Sequence, residues 1–199
     1  MKKLLVPFCL ILTIFIGSAG MSWSADYQKG YAAYKSGDYA TALREWKPLA
    51  EQGNAFAQNA LGLMYRKGRG VPQDYKTAVK WYRLAAEQGQ KSAQYNLGVR
   101  YEKGQGVTQD YKTAVKWYRF AAEQGQKSAQ YNLGLMYFKG QGITQDNVYA
   151  HMWLNIAASS GHKKASRTRD FIAKQIPHKD IRAVQKRAEE CIRKKYKGC

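Results

Sequence analysis

The sequence predicts an all-α protein built from stacked, antiparallel helix pairs, and two observations support this fold class. The first is an internal repeat: residues 74–109 recur as residues 110–145 with five substitutions in 36 positions. A fixed period of this length is typical of repeat proteins in which each unit packs on its neighbours. The second is that apolar residues inside each unit follow helical spacing.

The chain begins with the features of a signal peptide. Lys2 and Lys3 precede the apolar run Leu4–Ile16, which is long enough for a signal peptide and short for a membrane span. We expect residues 1–25 to be this signal, with the mature chain beginning between Gly20 and Asp26. The mature protein would then be periplasmic or secreted and would have no transmembrane segment. An uncleaved membrane anchor is the alternative.

Residues 26–53 are expected to form the first helix pair, joined by a short turn at residues 35–38. Three repeats follow at residues 54–89, 90–125 and 126–161. In the first of these, Ala78, Tyr82 and Ala86 lie on one apolar stripe. Asp74 is the predicted N-cap of that helix and Gly89 its predicted stop.

Three glycines fall inside predicted helices rather than at their ends. At Gly62, Gly98 and Gly134 a glycine costs about 1 kcal/mol relative to alanine. We therefore expect each to allow the close approach of a bulky, aromatic side chain from the partner helix. The G-x-G pairs in the loops lack the spacing of a phosphate-binding motif and are interpreted as helix stops.

The repeated residues also match a known motif. It reads A-x-x-x-L-G-x-x-Y-x-x-G-x-G-V-x-x-D and then A-x-x-W-Y-x-x-A-A-x-x-G, from Ala57 to Gly89 and again from Ala93 to Gly125. Over residues 27–190 the chain resembles the Sel-one-like repeat (SLR) family, a relative of the tetratricopeptide family. The resemblance implies a right-handed α-solenoid used for binding. It makes residues 26–53 a tetratricopeptide-like pair and residues 162–199 basic capping helices.

The capping segment should contain two helices, at residues 164–175 and 180–196. Pro177 separates them, and the apolar stripe of the second comprises Ile181, Val184, Ala188 and Ile192. Residues 162–199 hold 13 Lys and Arg against four Asp and Glu, in a chain whose formal charge is +19. Nucleic acid would explain such charge in a cytosolic protein, but the export signal argues against that partner.

The resemblance further implies a binding surface. In tetratricopeptide-type stacks the first helix of each pair lines the concave face, so its residues off the packing stripe would face a ligand. We expect a groove that binds an extended peptide or partner protein, because amides, rings and lysines suit peptide groups, side chains and carboxylates. The predicted groove residues are Asn59, Arg66, Tyr95, Asn96, Lys103, Tyr131, Asn132 and Lys139. Alternatively, the asparagines satisfy only local backbone groups.

Two other functions remain open. The basic residues 162–199 could make the protein an adaptor for anionic envelope polymers or lipids. Ser160 and Lys163 match the S-x-x-K motif of penicillin-binding and β-lactamase enzymes, and some cysteine-rich relatives in the family are described as penicillin-binding. Because the S-D-N and K-T-G motifs are absent, we expect no catalytic residues and no enzyme activity.

Cys191 and Cys199 are the only cysteines left after export. In an oxidising compartment an even pair favours a disulfide, so we expect these two to be joined. The three histidines, His151, His162 and His178, have no short ligand spacing and no neighbouring cysteine. We therefore expect neither a metal site nor a cofactor.

Overall fold

The computed structural model describes residues 19–196, which form ten helices and no strand. The charged and apolar parts of the predicted signal peptide, and Cys199, lie outside the described residues. No helix in the described part is long and apolar enough to cross a membrane. The helices are α1 (Ala19–Ser36), α2 (Tyr39–Glu51), α3 (Ala55–Lys67), α4 (Tyr75–Glu87), α5 (Lys91–Lys103), α6 (Tyr111–Ala122), α7 (Lys127–Lys139), α8 (Asn147–Ser159), α9 (Ala165–Ala173) and α10 (His178–Arg193).

The helices stack in chain order as an α-solenoid, as the sequence predicts. Each helix from α1 to α8 packs against the next, and both α9 and α10 pack on α8. The buried residues form three clusters along the stack instead of one central core. Helix α10 therefore closes the end of the solenoid by returning to the last pair, which hides apolar surface that a further repeat would otherwise cover.

The helix ends are set by local residues. Asp74, the predicted N-cap, accepts hydrogen bonds from the backbone N–H groups of Lys76 and Thr77. The hydrogen bond from the Thr77 hydroxyl and those from the backbone hold the pKa of this carboxyl below its ordinary value. At the other end, Gly89 has a φ of +85° directly after the C-cap residue of α4, which confirms it as the stop.

The mid-helix glycines allow close helix contacts, as predicted. A Cβ atom at Gly62 would lie 2.6 Å from the ring of Tyr82. At Gly98 it would lie 2.8 Å from the ring of Tyr118. The expectation of an aromatic neighbour is wrong at Gly134, where the close side chain is Leu154 at 2.9 Å.

Buried glutamines link each pair to the preceding one, a feature that the sequence patterns did not reveal. The side-chain amides of Gln58, Gln94 and Gln130 each donate to a backbone carbonyl of the preceding α2, α4 or α6 helix. Gln58 and Gln94 in turn accept hydrogen bonds from the side chains of Gln88 and Gln124, both at 2.8 Å. These bonds fix neighbouring pairs relative to each other, because a buried amide without partners is costly.

The C-terminal helices differ in detail from the prediction. Pro177 is the residue that precedes α10, and the helix ends at Arg193. The predicted apolar stripe is wrong at Ile192, which is 36% exposed, whereas Cys191 is only 3% exposed and lies in the core. Because Cys199 lies outside the described residues, the Cys191–Cys199 disulfide stays a prediction.

Candidate functional site

A pocket of about 490 Å³ lies where α5, α7 and the turn between α8 and α9 meet. Tyr95 reaches it from α5, whereas Tyr131 and Asn132 reach it from α7. The α8–α9 turn contributes residues 161–164, which include His162. The pocket thus combines residues from two successive repeats with residues from the beginning of the capping segment.

Aromatic rings form part of the pocket wall. The Tyr131 ring stacks on the His162 imidazole, with 4.3 Å between the ring centroids and 18° between the planes. The Tyr95 ring lies 5.9 Å from that of Tyr118, which is fully buried under α5. Rings held by such contacts offer flat apolar surface without a large loss of side-chain freedom on binding.

The charged groups at the pocket are positive. Lys127, Lys163 and Lys164 line it, and the lining residues include no Asp or Glu within the described chain. Burial, followed by the charges of Lys127 and Lys164, holds the pKa of His162 below its ordinary value of 6.5. The Nδ1 atom of His162 is buried without a hydrogen-bond partner. The pocket therefore suits a ligand that brings negative charge and hydrogen-bonding groups.

The predicted asparagines do not all face a ligand. The side-chain amide of Asn96 donates to the Asn59 oxygen at 3.0 Å, which joins α5 to α3. Asn132 is the residue one period after Asn96; it lines the pocket and lies within hydrogen-bonding reach of the buried Tyr118 hydroxyl. Part of the hydrogen-bonding capacity of Asn59 and Asn96 is thus used within the solenoid.

The structure brings three of the eight predicted groove residues, Tyr95, Tyr131 and Asn132, into the pocket. The other five lie outside it: Asn59 and Asn96 bond to each other, Arg66 is half-buried beside α4, and Lys103 and Lys139 are exposed at helix ends.

Sequence reasoning missed the contribution of His162 and the lysines around it. A signal for them exists in the repeat itself. Gln90 and Gln126 are N-caps whose side chains accept from the backbone of Ala93 and Ala129, and His162 stands one period after Gln126. At this position a glutamine that caps a helix in the earlier repeats is replaced by a histidine that lines the pocket.

The structure offers no clear chemistry for catalysis or metal binding. Ser160 is the C-cap residue of α8, and Lys163 lies in the following turn at the pocket. Among the side chains that the structure describes, which lie in residues 26–177 and 180–196, no three His, Cys, Asp or Glu come together as possible metal ligands.

Comparison with known proteins identifies a family whose repeat matches this sequence. The sequence profile of the Sel1 repeat matches residues 55–90, 91–126 and 127–162. A crystal structure of a Sel1 repeat protein from Oxalobacter formigenes superposes with a TM-score of 0.67 at 39% identity, covering 70% of this chain and 57% of that one.

A second similar structure is that of a protective antigen present in uropathogenic Escherichia coli strains, which displays an SLR fold. It has a TM-score of 0.67 and 45% identity, with 70% of this chain and 31% of that chain covered. The chain thus spans less than two thirds of the length of either protein. No curated protein matches it.

Proposed function

Because the chain belongs to the Sel1 repeat family, we propose that it is an exported scaffold that binds an extended, acidic peptide segment of a partner protein. Sel1 repeats typically mediate protein–protein interaction, and proteins built from them are generally non-enzymatic scaffolds. The observation that carries the proposal is the pocket between α5, α7 and the α8–α9 turn. It offers rings, an amide and lysines at one place.

The chemistry of the pocket favours a peptide over a compact ligand. Asn132 can pair with a backbone peptide group, since an amide side chain both donates and accepts. Tyr95 and Tyr131 can cover a side chain of the ligand. The lysines favour segments rich in Asp and Glu, and their attraction would also speed association.

Selection from a random peptide display library on the mature protein tests this proposal. We expect enriched peptides to be acidic, and the synthesised lead peptide to bind about ten-fold more weakly to a Tyr131→Ala variant, the loss typical of an interface anchor. Tyr31→Ala is the matched control, because Tyr31 is an exposed tyrosine on α1, far along the chain from the pocket. Equal affinity for wild type and Tyr131→Ala would contradict the proposal.

The pH dependence of binding gives a second readout. A carboxylate bound next to His162 would favour the imidazolium and raise the low pKa of that residue, so that binding takes up a proton. Affinity should therefore increase as the pH falls from about 7.5 to about 5.5, where Asp and Glu are still ionised. A His162→Gln variant should lose this dependence.

Export to the periplasm is part of the proposal, and it rests on the charged and apolar residues at the N-terminus. Sequencing of the protein recovered from the cell envelope should find a mature N-terminus between Gly20 and Asp26. An intact Met1 on that protein would rule out cleavage.

An adaptor for anionic envelope polymers or lipids is the second candidate, and the basic surface of α10 favours it. Its residues Arg182, Lys186, Arg187 and Arg193 are all exposed. Polyanion binding should collapse between low and moderate salt, whereas peptide binding in the pocket should largely persist. Loss of peptide capture after neutralising Lys194, Lys195 and Lys197, with Tyr131→Ala unaffected, would favour this second function.

A further inference from the structure

Arg100 is a charged residue at a core position of the repeat. One period before and after it stand Met64 and Met136, which are 0% and 2% exposed. Arg100 itself is 5% exposed, and burial lowers the pKa of its guanidinium. A buried cation is costly unless it is paired, so a replacement of methionine by arginine at this position calls for an acceptor.

The acceptors that surround Arg100 do not match its charge. Its guanidinium donates to the side-chain oxygen of Gln105 at 2.5 Å and lies 5.5 Å from the ring centroid of Tyr75. Its Nε atom is buried without a hydrogen-bond partner. None of the ion pairs found within residues 19–196 includes Arg100.

Two further buried polar atoms close to Arg100 also lack partners. They are Nε of Arg66, on α3, and the hydroxyl of Tyr82, on α4. Burial raises the pKa of Tyr82 to about 12, against the charge of Arg66, whose guanidinium lies within hydrogen-bonding reach of the hydroxyl, and against the charge of Arg100. Three groups able to donate hydrogen bonds thus lie near one another on α3, α4 and α5, and none of them belongs to an ion pair found among the described residues.

A carboxylate on the same helix as Arg100 already has a partner. Glu102 on α5 accepts a hydrogen bond from the hydroxyl of Tyr118. Glu102 and Tyr118 stand one period after Arg66 and Tyr82. The contact between α5 and α6 therefore contains an acid, whereas the contact between α3 and α4 contains Arg66 and Tyr82, with Arg100 of α5 beside them.

We propose that Arg66, Tyr82 and Arg100, here called the arginine cluster, receive a carboxylate from an Asp or Glu side chain of the bound peptide. This inference rests on the proposed function and adds the residues that select an acidic ligand. A carboxylate can accept several hydrogen bonds at once, and arginine matches its geometry well. Tyr82 and Arg100 are buried and Arg66 is half-buried, so a carboxylate would reach the cluster past the Arg66 side chain.

Tyr95 connects the arginine cluster to the pocket. Burial and the charge of Glu102 raise the pKa of Tyr95, while the charges of Arg100 and Arg66 act to lower it, so both arginines lie near its hydroxyl. The same tyrosine lines the pocket. A peptide that lies over Tyr95 would thus have a cationic site on each side, the cluster at one end and the lysines near His162 at the other.

The test compares labelled hexaglutamate with labelled hexaglutamine by fluorescence anisotropy at physiological ionic strength. We expect the wild-type protein to bind hexaglutamate more tightly. Arg100→Met, which installs the residue found one period away on both sides, should weaken hexaglutamate binding about ten-fold and leave hexaglutamine binding unchanged. Tyr82→Phe should weaken hexaglutamate binding by a smaller factor, because it removes only one hydroxyl.

Stability provides the readout that separates binding from a structural role. Replacing an unpaired buried cation by methionine should leave the melting temperature unchanged or raise it. A lower melting temperature for Arg100→Met with unchanged hexaglutamate affinity would make Arg100 a structural residue and overturn the inference. Arg44→Gln, which removes one exposed charge on α2, is the control for general electrostatics. An equal loss of affinity in that variant would also overturn it.

The outcomes distinguish this inference from the proposed function. If Tyr131→Ala weakens peptide binding and Arg100→Met does not, the pocket remains the binding site and the arginine cluster has no part in it. If Arg100→Met weakens hexaglutamate binding and Tyr131→Ala does not, the cluster binds the carboxylate and the proposed pocket is wrong.

Discussion

Residues 74–109 and residues 110–145 differ at five positions. At two of these, charged residues of the first unit are replaced by apolar residues in the second: Arg100 by Met136, and Glu102 by Phe138. In the first unit Arg100 is buried without an acid, and Glu102 accepts a hydrogen bond from Tyr118. In the second unit Met136 lies in the core, and Phe138 contacts the ring of Phe171 edge-on, with 6.2 Å between the centroids. The same arrangement of helices therefore tolerates charged or apolar residues at these two positions, as long as the residues that pack helix against helix are kept.

Identical residues in the two units also have different surroundings. Tyr95 lies against Tyr118, whereas Tyr131, one period later, stacks on His162. The difference arises because α7 faces the α8–α9 turn, where the repeat pattern has changed. The comparison shows that the position in the stack, as much as the residue type, decides which side chain can meet a ligand.

The largest expected effect on stability comes from changing a buried leucine that both units contain. Leu97 and Leu133 are both 0% exposed, so changing either to alanine removes buried methyl groups and leaves a cavity. Each substitution should lower the free energy of unfolding by about 2–5 kcal/mol, measured by urea denaturation. The two costs should be similar. A neutral result at only one site would mean that the two units do not pack alike.

The next copy of the unit, which begins at Asp146, differs from the first two by a buried histidine. His151 is 2% exposed, its Nδ1 lacks a hydrogen-bond partner, and Val79 and Val115 occupy the same position in the earlier units. His151→Val should stabilise the protein by about 1–2 kcal/mol at neutral pH, since a desolvated polar group without a partner is removed.

The same variant should change the response to acid. Burial, followed by the charge of Arg169, holds the pKa of His151 below its ordinary value of 6.5, so the folded state binds fewer protons than the unfolded state. The wild-type protein therefore loses stability as the pH falls below about 6.5. Melting curves between neutral and acid pH should show a smaller loss for His151→Val. An unchanged acid response would contradict the argument.

A smaller gain in stability is expected at Gln130, which lacks the glutamine donor that Gln58 and Gln94 have. Ser160 stands where Gln88 and Gln124 stand in the earlier units, and the side-chain oxygen of Gln130 is buried without a partner. Ser160→Gln should supply the missing donor and stabilise the protein by about 1 kcal/mol, measured by thermal denaturation. Ser159→Gln, an exposed neighbour, is the control and should give no such gain.

The smallest effect on stability is expected at a position where the two units differ and both side chains are exposed. Leu84 is 46% exposed and Phe120, one period later, is 41% exposed. Leu84→Phe should change the free energy of unfolding by less than about 0.5 kcal/mol, because substitutions at exposed positions rarely matter more. A larger change would mean that this surface is packed in the folded protein.

The sequence by itself predicted the helix pairs of the repeats and the residues that cap them. The 36-residue period, the apolar stripes, the aspartate caps and the positive-φ glycines are all readable because each depends on residues a few positions apart. The close contacts at Gly62 and Gly98 could be predicted for the same reason, since a glycine inside a helix needs a packing explanation. Only the kind of neighbour at Gly134 was missed.

The tertiary structure alone decided which residues meet at the candidate site. The pocket joins Tyr95 to His162, the arginine cluster joins Arg66 to Arg100, and Asn96 bonds to Asn59. Each of these relations spans 34 or more residues of chain, over which no helical or capping pattern can specify a side-chain contact. The choice of Cys191 over Ile192 for the core has the same origin, because the angle at which α10 meets α8 sets which of its faces is buried.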